Sequence, residues 1–194
     1  MRHLTETVIQ DEHRALAAVL HSLAMLVAQA GRDGTDPPFD VLRAMLLYVD
    51  EFPERLHHDK ESRLLFPKIR ARVPALAPVL DRLEREHTDG EHAIRELEHA
   101  LLGYEVLGTP RRAAFERALG RYTNFYLAHM ATEEREVMPA ARRHLSAADW
   151  TELDAAFGTH RDPMTGHAPD TDYAPLFSKI VRETPAPIGL GPAR

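Results

Sequence analysis

The chain has 194 residues, no cysteine, a formal net charge of -6 and a pI near 6.0. That length predicts one domain able to bury a core, and 28% charged against 44% apolar residues excludes wholesale disorder. The missing cysteines exclude disulfides, thiolate zinc sites and Cys-ligated clusters, and 24 basic residues scattered among 30 acidic ones leave no basic stripe for nucleic acid.

The start, Met1-Arg2-His3-Leu4-Thr5-Glu6, meets Asp11 and Glu12 before any apolar run, so no signal peptide is expected. A first helix is predicted over Leu4 to Ala30, with Leu16, Val19, Leu20, Leu23, Leu26 and Val27 at helical spacing and Gly31 as its stop. Its most apolar stretch, Ala15 to Ala30, is broken by His21, Ser22 and Gln29 and is too short and polar to span a bilayer. A soluble, cytoplasmic protein is therefore expected, with no membrane and no nucleic acid among its partners. The turn-rich segment Gly31 to Pro38 leads to a second helix, Phe39 to Phe66, which Pro53 should kink.

A third helix is predicted from Pro78 to Leu107, closed by Gly108. A fourth opens with Thr109 as N-cap and Pro110 in its first turn and runs past His129 towards Pro139. Ser146-x-x-Asp149 signals a capping box for a short fifth helix ending at Gly158, with Trp150 and Phe157 as anchors. The Pro- and Gly-rich remainder reads as an extended tail with one more short helix, about Ala174 to Glu183, packed on the bundle or on a second subunit. The class is all-α: an up-down four-helix bundle over residues 1–145, with the fifth helix and tail over 146–194.

Two segments share one template. His57-x-x-x-Glu61 precedes Pro67, and His129-x-x-x-Glu133 precedes Pro139; Asp11-Glu12-His13 leads the first and Arg85-Glu86-His87 the second. The leads stand 44 and 42 residues ahead, from His13 to His57 and from His87 to His129. A duplicated helix pair that brings His and Glu together twice is how a two-metal site is built inside four helices. Residues four apart share a helix face, about 6 Å along the axis, so each His–Glu pair can grip one ion or two adjacent ions.

With 12 histidines and 17 glutamates, about one His-x-x-x-Glu is expected by chance, yet four occur. His92–Glu96 lies about 140° from His87 around its helix and reads as the accidental one. The others, with His87–Glu91, fall on three different helices. Solvated helix-face pairs are the plain alternative, worth a few tenths of a kcal/mol each. It fails on context, because Leu64, Leu65 and Phe66 beside the first pair and Phe125, Tyr126 and Leu127 beside the second require packing. Burying those charges without a cation would cost several kcal/mol per ion.

The pieces Asp11-Glu12-His13, His57-His58-Asp59-Lys60-Glu61 with Leu65-Phe66-Pro67, Glu86-His87, and His129-x-x-x-Glu133-Glu134 with Met138-Pro139 resemble the hemerythrin-like, or HHE cation-binding, domain over roughly residues 3–145. The resemblance implies a four-helix bundle with two non-haem iron ions under an oxo or hydroxo bridge. It puts His13 and His57 on one iron, His87, Glu91 and His129 on the other, and Glu61 and Glu133 between them. Oxygen-carrying members have His where this chain has Glu91, and an Asp five residues after the last His, where this chain has Glu134. The internal repeat favours Glu133, since Glu61 and Glu133 each stand six residues before a proline. Imidazole and carboxylate without sulfur suit iron, with manganese or zinc as alternatives.

Other residues take plainer roles. His58 turns about 100° from His57 and reads as a surface or supporting residue. His21, His92, His99 and His144 read as helix-face histidines, and Tyr122 as core packing. Glu54, three residues before His57, could approach a metal, although Pro53 obscures its direction.

Three classes of function follow: capture or sensing of dioxygen, nitric oxide or peroxide; turnover of peroxide or another oxidant; and iron storage or delivery, including cluster repair. Absence of cysteine weakens repair. Glu91 as a ligand would add negative charge, favour the ferric state and tilt the site towards oxidant chemistry. Catalytic residues and the choice of monomer or homodimer are left open.

Overall fold

The computed structural model describes residues 2–159, 162–168 and 171–184. Every regular element among them is helical. Helix α1 spans Leu4–Asp33 and runs three residues beyond the expected end at Ala30. Gly34, at φ 65°, adopts the left-handed conformation that closes the helix. Gly31 has a different task. A Cβ there would lie 1.7 Å from Arg112 Nη2, and the bare backbone lets that guanidinium donate to Val27 O at 2.9 Å.

Helix α2 (Phe39–Val49) passes into a π-helical segment at Asp50–His57, a single turn α3 (His58–Lys60), a second π-helical segment at Glu61–Leu65, and α4 (Phe66–Arg72). Pro53 thus widens the helix into π register: it cannot donate to the carbonyl four residues back, and its ring crowds that carbonyl. A π-helical segment recurs later. Helix α5 covers Ala77–Leu107; after a 3₁₀ turn at Thr109–Arg111, α6 (Arg112–Thr132) leads into a π-helical segment at Glu133–Val137 and then α7 (Met138–His144). Each of the two matching π segments begins on the template glutamate and ends two residues before the template proline. The repeat in sequence is a repeat in helical register.

Thr109 makes no side-chain cap; it begins the 3₁₀ turn. Ser146 does cap α8 (Ala147–Phe157), accepting from Asp149 N at 3.2 Å while Asp149 Oδ2 accepts from Ser146 N at 2.9 Å. Helix α9 (Ala174–Glu183) lies against α2, with Phe177 and Ile180 buried. Tyr48 donates to Asp162 at 2.8 Å and ties the segment before α9 to α2. The last ten residues of the expected tail, 185–194, lie outside the described residues.

Two apolar clusters form the interior. One gathers Leu16, Leu20, Leu42, Met45, Ile94, Leu97, Tyr122 and Tyr126 with their neighbours; the other gathers Ile9, Leu65, Phe66, Leu80, Leu83, Val137, Met138 and Trp150. The four long helical paths visit them in alternating order. Helix α1 passes from Ile9 to Leu16, α2–α4 from Val49 to Leu65, α5 from Leu83 to Ile94, and α6–α7 from Tyr126 to Val137. Between the clusters, every path places its histidines. Helix α1 is the one described helix long and apolar enough to cross a membrane on length and composition, so its length does not argue against a span as its shorter apolar stretch suggested; half of its most apolar window is buried inside the protein.

Candidate metal centre

At that level the interior is polar. His13 from α1, His57 and Glu61 from the widened second path, His87 from α5, and His129 and Glu133 from the fourth path are all buried. Their donor atoms form two overlapping groups, each with its atoms within 4.8 Å of one another: His13, His57, Glu61 and Glu133 in one, and His58, Glu61, His87 and His129 in the other.

The two carboxylates join the groups. Glu61 turns Oε1 to His57 Nε2 at 3.3 Å and Oε2 to His87 Nε2 at 3.6 Å. Glu133 turns Oε2 to His13 Nε2 at 3.2 Å and Oε1 to His129 Nε2 at 3.2 Å. Facing Nε2 atoms of His87 and His129 stand 3.1 Å apart. Four imidazoles thus aim the same nitrogen at one small volume.

Each ring is held from behind. His57 Nδ1 meets Glu12 Oε2 at 2.6 Å, His129 Nδ1 meets Glu86 Oε2 at 2.8 Å, and His13 Nδ1 meets Glu134 Oε1 at 3.2 Å. Ser62 Oγ lies 2.8 Å from His87 Nδ1. A partner on Nδ1 fixes the tautomer that leaves Nε2 as the inward lone pair and raises its basicity, as metal-bound histidines require. The template acids Glu12 and Glu86 therefore serve the histidine of the next helical path, not the one beside them in sequence.

The electrostatics match a cation site. Burial pulls the imidazoles down, yet Glu133 and Glu134 raise His13, Glu61 and Glu12 lift His57 well above its usual range, and Glu133 with Glu86 brings His129 to about 10. Burial pushes Glu133 up, and His129, His13 and His87 more than reverse it, leaving it well below the usual carboxylate range. The same carboxylates that raise His13, His57 and His129 would attract a cation. Glu61 Oε2 and both oxygens of Glu133 are buried and closed by no hydrogen bond of proper geometry, and buried acceptors left so are costly without a cation. The donor set fits one or more divalent or trivalent ions.

Of the seven residues expected from sequence, six come together and Glu91 does not. Its side chain is 51% exposed and lies 3.8 Å from Arg95. Four residues of α-helix turn it about 40° past His87, and on the continuous α-helix α5 it faces solvent. The added ferric-favouring charge assigned to it is therefore absent from the cluster. Glu133, 1% exposed, faces the cluster, while Glu134 sits at the rim with its side chain 46% exposed.

Two residues enter that sequence reasoning set aside. His58 is buried, its ring stacked on His87 at 4.2 Å and on Tyr126 at 5.6 Å. Glu54 is buried, accepts from Tyr122 at 2.5 Å and has Oε2 3.3 Å from His58 Nδ1. Burial raises Glu54 to about 7 against the pull of the two tyrosines. The sequence signal was present as Glu54-x-x-x-His58, but Pro53 and the π register hid its direction. Gly90 makes room here: a Cβ would stand 1.8 Å from Tyr126 Oη and 3.0 Å from Glu54 Oε2. His21, His92, His99 and His144 are exposed, as expected.

The family model described as the hemerythrin HHE cation binding domain matches residues 5–141, well over half of the chain. No curated protein matches the sequence.

Proposed function

The chain belongs to the hemerythrin HHE cation-binding family, and on that premise we propose that its buried cluster holds two non-haem iron ions in an up-down bundle and handles dioxygen, nitric oxide or peroxide. The observation that supports this most is the division of Glu61 and Glu133 between two histidine groups, since carboxylates with one oxygen in each group are suited to bridging a metal pair. The alternation in which the four helical paths meet the two apolar clusters supports the up-down reading. When bound, iron would supply the redox chemistry and a coordination position for a small oxidant. The protein's residues would hold the ions, fix the imidazole tautomers and surround them with apolar packing.

A specific observation favours capture over turnover. With Glu91 at the surface, two carboxylates stand in the cluster among neutral-capable imidazoles. Fewer anionic donors favour the ferrous pair from which dioxygen or nitric oxide binding begins. Iron storage is the alternative, and one experiment separates them. Protein reconstituted anaerobically with ferrous iron is exposed to air, then to reduced oxygen pressure, with absorption followed over repeated cycles. Reversible bands support capture; irreversible oxidation with loss or accumulation of iron supports storage, and steady consumption of added peroxide supports turnover.

A further inference from the structure

We propose that His58 is a ligand of the second metal position, with Glu54 as the residue that orients it. This rests on the two-metal reading above. His58 offers a donor atom within 4.8 Å of those of Glu61, His87 and His129. It is also built like the histidines already described: Nδ1 faces a carboxylate, Glu54 Oε2, at 3.3 Å, as His57, His129 and His13 face Glu12, Glu86 and Glu134. A carboxylate behind Nδ1 turns the other nitrogen into the donor.

Glu54 is itself fixed. Tyr122 donates to its Oε1 at 2.5 Å, and the missing side chain at Gly90 leaves space for Tyr126 and Glu54 Oε2 beneath α5. Such support would be wasted on a ring that only filled space. Neither His58 Nδ1 nor Glu54 Oε2 has a hydrogen bond of proper geometry, so the pair reads as poised and not closed, as expected of a ligand whose ring settles when an ion is held. The π-helical segments on both sides of α3 make it geometrically feasible. A widened turn separates successive residues by a smaller angle than an α-helix, so adjacent His57 and His58 both reach the cluster; their ring centroids are 5.6 Å apart, with the ring planes edge-on to each other. His57 then serves the first group and His58 the second, in the place that Glu91 leaves unfilled.

A purely structural role, a ring stacked between His87 and Tyr126, predicts differently. His58→Phe keeps the stack and removes both nitrogens. Metal-free protein is titrated anaerobically with Co²⁺, which reports coordination number in its visible bands. Wild type should take two ions. His58→Phe should take the first unchanged and the second at least about tenfold more weakly, with altered bands for that ion alone, while Glu91→Ala should match wild type. Two ions with wild-type affinity and bands in His58→Phe would overturn the assignment and leave the two-metal reading standing. Fewer than two ions in wild type would overturn that reading first. If His58→Phe lacks the wild-type helical circular dichroism, Glu54→Gln decides in the same titration: a second ion about tenfold weaker supports the assignment, and an unchanged one overturns it.

Discussion

Glu61 and Glu133 stand at equivalent points of the two repeated segments and divide their oxygens the same way, one to each group of histidines. Each begins a π-helical turn and stands six residues before a proline. Structure and chemistry are duplicated together.

From that symmetry, Glu133 and Glu134 should differ sharply. Glu133→Ala removes oxygens facing His13, His87 and His129 and should lower the metal content well below two ions per chain. Glu134→Ala removes only the rim partner of His13 and should keep both ions. Elemental analysis after dialysis measures both; equal loss in the two variants would show that the rim residue is a ligand.

Glu12→Gln and Glu86→Gln should each weaken metal binding about 10–100-fold without removing a donor atom, because each leaves a histidine without its anionic partner. Competition against a chelator of known affinity gives the number. No change in either would mean that tautomer and basicity are set elsewhere.

Metal affinity should rise with pH. His13, His57 and His129 have raised values in the metal-free cluster, His129 to about 10, so an ion must compete with protons for these rings. The sign follows: with folded values above the unfolded 6.5, pairing with the carboxylates stabilises the metal-free fold fully below that value. The contribution fades as pH climbs through the folded values. Metal binding gains what the protons lose, by up to about tenfold per pH unit for each proton displaced. Calorimetry in buffers of different ionisation enthalpy should detect proton release near pH 7; none at all would show the rings to be neutral before the ion arrives.

Gly90→Ala should destabilise the protein by roughly 1–3 kcal/mol, the usual cost of overpacking, because its Cβ meets the Tyr126 hydroxyl. Tyr126→Phe should restore part of that loss, since the oxygen is the nearest clash. Urea unfolding of the two single variants and the double variant gives the coupling, and additive effects would place the clash elsewhere.

Much of this was legible in the sequence because spacing translates directly into helix faces. The duplicated His-x-x-x-Glu, the capping box at Ser146 and the closing helix at Ala174–Glu183 are local patterns, and the structure follows them. Misreadings arose where α-helical geometry was assumed and does not hold. Gly31 looked like a stop but is a seat for Arg112. His58 looked turned away because 100° per residue fails between two π-helical segments. Glu91 looked like a partner of His87, although nothing in a four-residue spacing says whether the second residue faces inward. The roles of Glu12 and Glu86 depend on which helical path lies alongside, and spacing within one segment does not encode that.

The most direct test of the two-metal centre is the iron content of protein loaded anaerobically and freed of loose metal, in wild type and in His57→Ala and His129→Ala. The expected result is two ions per chain in wild type and clearly fewer in each variant, with His92→Ala unchanged. Wild-type content well below two after loading, or full occupancy in both His57→Ala and His129→Ala, would contradict it.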